Sequence, residues 1–281
     1  MNDNVINIKK ASGELEPFSF QKLRESLQRS GASLKEIDTV INCIKPTLYN
    51  EITTKEIYRR AFSILKKHNR LHASKFSLKK ALFDLGPTGY PFEKLIGALL
   101  KQKGFKTKVS VILPGKCVTH EIDVLAQKNN YTYAIECKFH LKPNHVNNVK
   151  IPLYINSRFI DIQEQWNKNS KKKSFLKQGW IVTNTRFTED AINYASCAGL
   201  HLLSWDYPKN DGIKDNIDKF GLYPITTLTT LTKKEKKLLI ENDIILTKEL
   251  LKASFILKKL DFSEVKIKKI ISEVQDLCNL N

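Results

Sequence analysis

Two short runs, His120-Glu121-Ile122-Asp123-Val124 and Tyr133-Ala134-Ile135-Glu136-Cys137-Lys138, constrain the middle of this chain more than any other feature. In the second run Tyr133, Ile135 and Cys137 alternate with Ala134, Glu136 and Lys138. A period of two belongs to a strand, so Glu136 and Lys138 fall on one face. The first run reads alike, with Glu121 and Asp123 on one face and Ile122 and Val124 on the other. Between the runs Gln127-Lys128-Asn129-Asn130 is polar and turn-forming, and the simplest pairing is an antiparallel hairpin that brings Asp123 and Glu136 together. Two carboxylates then face one hard cation.

Phosphodiester hydrolysis asks for those residue types. It needs charge neutralised on the phosphate and a deprotonated water supplied, and Mg²⁺ (or Mn²⁺) held by carboxylate oxygens serves both ends. Lys138, two residues along the same face, is placed to orient the attacking water or to stabilise the pentavalent phosphate.

These motifs make residues 92–206 resemble the PD-(D/E)xK nucleases, and more closely their Mrr-like restriction endonuclease branch. Pro91-Phe92-Glu93-Lys94-Leu95-Ile96-Gly97-Ala98-Leu99-Leu100 matches the opening helix, which contributes an acidic residue, here Glu93, and Lys103-Gly104-Phe105 matches the turn after it. Asp123 matches the metal-binding Asp, and Glu136-Cys137-Lys138 the Glu-x-Lys. Ile122 stands where the short motif has proline. Trp180-Ile181-Val182-Thr183-Asn184-Thr185, Phe187-Thr188-Glu189-Asp190-Ala191 and Gly199-Leu200-His201-Leu202-Leu203 look like the later strand, helix and strand of the family. The resemblance implies that Asp123, Glu136 and the Cys137 carbonyl bind the metal. It also implies that Lys138 positions water and that Glu93 orients a metal-bound water or Lys138.

With 47 Lys+Arg against 29 Asp+Glu the formal net charge is +18, a field that attracts polyanions and agrees with DNA as partner. Local clusters lie at Lys168 with Lys171-Lys172-Lys173, and from Lys233 to Lys269. No apolar run approaches a membrane span and no charged-then-apolar leader begins the chain, so a soluble, cytoplasmic protein without membrane partners is expected. Cys43, Cys117, Cys137, Cys197 and Cys278 are scattered with no Cys-x-x-Cys pair, against a disulfide framework or a zinc cluster.

Asp84-Leu85-Gly86-Pro87-Thr88-Gly89-Tyr90-Pro91 breaks helical continuity and is the clearest boundary in the chain. Ahead of it a strand-turn-strand signal runs from Val5 to Phe18 with Gly13 at the turn. Helical patterns follow at Phe20 to Ser30, Leu34 to Leu48, Thr54 to Lys67 and Ala73 to Leu85. Thr53 and Thr54 supply capping hydroxyls before Ile57, Ala61, Ile64 and Leu65, which recur at core-facing intervals.

This order resembles the ATP-cone, a regulatory nucleotide-binding module of ribonucleotide reductases and of a repressor of their genes. Its opening pattern lies without gaps on Ile8, Lys10, Ala11, Ser12, Gly13, Glu16, Phe18, Lys22 and Leu23. The resemblance implies that Lys10 and Lys22 meet phosphates and that Glu16 holds the nucleotide's polar edge or a metal. Thr54 and Tyr58 fall at the base-contacting positions. The family's Arg is Ala11 here, and Lys9 is the neighbour that compensates. ATP or dATP would be a signal, since no Gly-x-x-x-x-Gly-Lys-Ser/Thr loop exists for a P-loop ATPase.

The expected fold is α/β and multi-domain. Residues 1–86 form a cone of β-hairpin and helices, residues 91–207 a restriction-endonuclease-like α/β/α domain with a mixed sheet, and residues 208–281 a helical C-terminal region. In the last, helices are expected at Ile213 to Phe220, Lys233 to Glu241, Thr247 to Leu257 and Phe262 to Leu277. The expected function is that of a Mg²⁺-dependent DNA endonuclease of restriction or phage-defence type. An adenine nucleotide regulates it, and it works as a homo-oligomer of at least two copies because one such site cuts one strand. The rival from another class is a non-catalytic, nucleotide-sensing DNA-binding regulator.

Overall fold

The computed structural model describes residues 6–10, 12–168 and 174–278. At the N-terminus β1 (Asn7–Lys9) and β2 (Leu15–Pro17) pair antiparallel around Gly13, whose φ of 91° suits a residue without Cβ. Five helices follow: α1 (Phe20–Arg29), α2 (Leu34–Ile44), α3 (Thr54–His68), α4 (Arg70–Phe76) and α5 (Leu78–Phe83). Local chemistry sets their starts. The side chains of Ser19, Thr53 and Asn69 cap α1, α3 and α4, and Ser33 forms a reciprocal box with Glu36 on α2.

Two expected helices differ. The pattern from Leu34 to Leu48 is helical only to Ile44, because Pro46 lacks an N–H and the chain tightens into a 3₁₀ turn over Lys45–Thr47. The pattern from Ala73 to Leu85 is divided between α4 and α5 at Ser77, whose hydroxyl donates to the Ser74 carbonyl at 2.9 Å.

The central region opens with α6 (Tyr90–Gln102) and continues through β3 (Lys106–Pro114), β4 (Thr119–Lys128), β5 (Tyr131–Lys138), β6 (Val146–Asn147) and α7 (Lys150–Lys168). It closes with β7 (Phe175–Thr183), β8 (Arg186–Phe187), α8 (Glu189–Cys197) and β9 (His201–Leu203). The mixed sheet runs β3-β4-β5-β7-β9, antiparallel through the first pairs and parallel from β5 onward, with α7 and α8 as the crossovers. β6 and β8 form a separate parallel pair. Phe92, Leu95, Ile96 and Leu99 of α6 pack with Val124, Ile135 and Cys137 on one face of the sheet. On the other, Phe159, Ile162 and Trp166 of α7 pack with Ile122, Ala134 and Leu176, and Ala191 and Ala195 of α8 with Ile181 and Leu202. Burial of each such Leu, Ile or Phe side chain contributes roughly 1.5–3 kcal/mol.

The alternation expected over residues 121–124 breaks. Val124 joins the α6 side and Ile122 the α7 side. Between them Asp123 lies opposite Ser110, the one position missing from an otherwise continuous β3–β4 register, and Ser110 adopts a left-handed φ of 52°. An irregularity in the partner strand re-aims side chains, as a bulge does.

Beyond β9 come α9 (Ile213–Phe220), α10 (Lys233–Glu241), α11 (Thr247–Lys252), α12 (Phe255–Lys259) and α13 (Glu264–Cys278). The single helix expected from Thr247 to Leu257 is interrupted at Ala253, which leaves helical geometry at φ −127°, ψ 38°. The core of these helices is continuous with the α6 side of the sheet: Leu239, Leu250, Leu257, Ile270 and Val274 belong to the same buried cluster as Phe92 and Val124. Leu78, Leu82 and Leu85 join that cluster too, whereas Ile8, Leu27, Ile37, Val40, Ile57 and Leu65 form a separate core among α1–α4. Among the described residues no helix is long and apolar enough to cross a membrane.

Candidate active site

β4 and β5 bring the first predicted group together. Their ladder is in register from Lys128↔Tyr131 to Val124↔Ile135, and the next residues along each strand are Asp123 and Glu136. The Cys137 N–H donates to the Asp123 carboxylate at 2.6 Å, tying the end of one strand to the other. Lys138 Nζ lies 2.7 Å from Glu136 Oε1, as the shared strand face requires.

Glu93 arrives from α6. Pro91 and the first-turn Glu93 suit a helix start, and Phe92 packs on Phe139, directly after Lys138, with ring centroids 5.6 Å apart. Burial, then the charges of Asp123, Glu121 and Glu136, raise the Glu93 carboxyl to about 7. Burial, then Glu136, raises Asp123 to about 6 despite the Cys137 N–H, Lys138 and Arg158. The site thus gathers carboxylates that repel one another, the environment a cation would relieve.

Arg158 of α7 was not foreseen. Its Nη1 donates to Glu136 Oε2 at 2.7 Å and its Nη2 to the Glu121 carbonyl at 2.6 Å, with the guanidinium over the Tyr154 ring. Both oxygens of Glu136 are therefore ion-paired, one to Lys138 and one to Arg158. The available signal was modest: Arg158 adjoins the buried Ile155, Phe159 and Ile162 on a crossover helix, where a charge beside an apolar stripe needs a partner.

Among the described residues no three His, Cys, Asp or Glu side chains converge as a metal-binding cluster. The local donor set is the two carboxylates of Asp123 and Glu136, with the Cys137 main chain tied to the first through its N–H. Such a sparse, all-oxygen set suits Mg²⁺, which keeps several waters and takes one or two carboxylates.

At the N-terminal hairpin Lys10, Glu16 and Lys22 converge: Lys10 Nζ lies 2.7 Å and Lys22 Nζ 3.8 Å from the Glu16 carboxylate. Ile8 is buried in the core opposite Glu16. The Lys9 backbone bridges to Thr53, its N–H donating to the Ile52 carbonyl at 3.0 Å, which docks the hairpin beside Thr54 at the start of α3. One turn on, the Tyr58 ring stacks on Phe76 and Phe62. Ala11 lies outside the described residues, as do Lys171, Lys172 and Lys173.

A family model for the ATP cone domain matches residues 6–78, and one described as AF1548-like, C-terminal, matches residues 223–278. The cone implies binding of an adenine nucleotide in a regulatory role. An uncharacterized protein of Archaeoglobus fulgidus is 36% identical over 178 residues, which is 63% of this chain and 96% of that protein. The crystal structure of AF1548, a protein of unknown function, aligns with a TM-score of 0.56 and 33% identity over 69% of this chain and 100% of that one. Protein VC1899 from Vibrio cholerae aligns at 16% identity and a TM-score of 0.32, over 70% of this chain and 50% of that one. The chain carries an ATP cone at its N-terminus and belongs to the AF1548-like family.

Proposed function

We propose that this chain is a Mg²⁺-dependent DNA endonuclease of restriction or phage-defence type, regulated by ATP or dATP at its cone and active as a homo-oligomer of at least two copies. The observation that carries the reading is the meeting of Asp123, Glu136 and Lys138 at the end of the β4–β5 ladder, with Glu93 close enough to share their field. Asp123, Glu136 and the Cys137 carbonyl would hold Mg²⁺ (or Mn²⁺). The ion, when bound, supplies charge neutralisation for the phosphate and lowers the pKa of water.

The remaining work falls to the chain. Lys138 donates toward the phosphate oxygens or the attacking water once Glu136 turns from its ammonium. Arg158 keeps Glu136 oriented and charged from the far side. Glu93, half-buried and raised to about 7, exchanges a proton near neutrality and serves to orient or deprotonate water.

A divalent-dependent plasmid-nicking assay tests the reading. Asp123→Ala and Lys138→Ala are expected to lower cleavage about 10²-fold or more, the usual cost of losing a charge-stabilising group. Variants that fold and cleave like the parent sink it. The double ion pair on Glu136 favours a second reading, a non-catalytic DNA-binding regulator, which predicts retained plasmid affinity with no cleavage in any divalent ion. Equilibrium dialysis with ATP and dATP tests the cone, where Lys10→Ala with Lys22→Ala should remove the hairpin's share of the uptake.

A further inference from the structure

The strongest unassigned feature lies where the cone meets the C-terminal helices. A cavity of about 430 Å³ is lined by Lys66 and Arg70 from α3 and α4, by Thr229 and Thr230 from the segment before α10, and by Lys266 and Lys269 from α13. No carboxylate lines it. Its volume falls in the range of small-molecule sites.

The charges around this space are poorly compensated from within. Lys66 Nζ donates to the Thr229 carbonyl at 3.0 Å, a bond that leaves its charge unneutralised. Lys266 pairs with Glu235. Among the described residues Arg70 and Lys269 have no ion-pair partner. Like charges gathered round a hollow repel one another, and the potential inside focuses anions. The N-terminal turn of the long helix α13 faces the same space through Val265 and Lys266, adding the positive end of its dipole.

A second observation points to a ligand. The Thr229 and Thr230 hydroxyls are buried without a hydrogen-bond partner, while their N–H groups are both taken by Glu273, at 2.6 and 2.9 Å. Glu273 thus holds the segment from behind, and the two enclosed hydroxyls keep unused hydrogen-bonding capacity beside the cavity.

We propose that this junction binds a compact polyphosphate, the di- or triphosphate portion of a small ligand, which clamps α3 and α4 of the cone to α13. It is distinct from the cone's hairpin site. Thr54 and Lys66 lie at opposite ends of α3, twelve residues and so about 18 Å apart. A small hollow between two units, with its cations gathered around one space, favours a short polyanion over a duplex, whose backbone needs an extended track.

Isothermal titration of the full chain with sodium tripolyphosphate tests this, in a Lys10→Ala/Lys22→Ala background that removes the hairpin's phosphate contacts. Binding is expected to persist in that background, and to weaken at least tenfold on adding Arg70→Ser and Lys269→Ser. Both residues are exposed, so the fold should tolerate the change. Exchanging the cations, Arg70→Lys with Lys269→Arg, should restore most of the affinity. ATP binding more tightly than tripolyphosphate assigns the source to a nucleotide; equal affinity assigns it to phosphate alone. The proposal is overturned if tripolyphosphate fails to bind in the hairpin background, or if the Arg70/Lys269 pair leaves its affinity unchanged. It is equally overturned if that pair weakens only binding of a short DNA duplex.

Discussion

Asp123 shows how one residue can serve function against stability. Its carboxyl sits at about 6, above the ordinary carboxylate value near 3.9, so folding with Asp123 ionised is unfavourable above pH about 6 and indifferent below about 4. Asp123→Asn should therefore stabilise the fold at pH 8 without divalent ions by on the order of 1–3 kcal/mol, seen as a higher Tm, with the gain fading as pH falls toward 4. The same variant should lose cleavage. Differential scanning calorimetry across pH checks the first part, and a Tm that falls at pH 8 would show that the carboxylate is needed for structure. Arg158 teaches the complementary lesson. No local signature marks a single arginine 22 residues beyond its partner Glu136, because the pairing depends on how α7 lies across the sheet.

Among the elements, the β3–β4 hairpin depends on a contact with α7 that sequence spacing does not show. Asp161 accepts hydrogen bonds from His120 Nε2 at 2.7 Å and from the Cys117 N–H at 2.8 Å, and its own carbonyl takes the Lys116 N–H at 3.0 Å. Gly115 is required there, since a Cβ would run into the Asp161 carboxylate and lie 2.6 Å from the Val118 carbonyl. Cys117 and His120 thus share a carboxylate that pins the hairpin tip. The His120 bond, with the Cys117 N–H, holds Asp161 well below the usual carboxylate range. A lowered folded value gives stability that is complete above the unfolded pKa of about 3.9 and is lost as pH falls through the folded one. Asp161→Ala should accordingly lower Tm most above pH 4, with the deficit shrinking in stronger acid; a deficit independent of pH counts against the ionic account.

Across the whole molecule, Glu273 is the joint between cone and body. It is 6% exposed, and its carboxylate accepts from Ser74 of α4 at 3.0 Å and from the Thr229 and Thr230 N–H groups. Thr226 adds a bond to the Ala81 carbonyl at 2.6 Å. Glu273→Ala strands those donors in a buried place, at a cost of roughly 2–4 kcal/mol, whereas Glu273→Gln keeps one acceptor oxygen and should cost less. Urea denaturation of both variants checks the order. Reversal of that order would mean that the charge at 273, and not the acceptors, is what the junction tolerates poorly.

Periodicity and punctuation determined much of this protein. The alternation of residues 133–138 puts Glu136 and Lys138 on one face, the polar turn sets the β4–β5 register, and serine, threonine and proline mark helix ends, all through interactions spanning a few residues. Tertiary structure alone decided three things. Ile122 turns to the face opposite Val124 because a neighbouring strand is irregular. Arg158 reaches Glu136, and α5 leaves the cone's core for the one shared by α6 and the C-terminal helices. Each depends on which surface lies across from a residue in space, and local patterning carries no record of that.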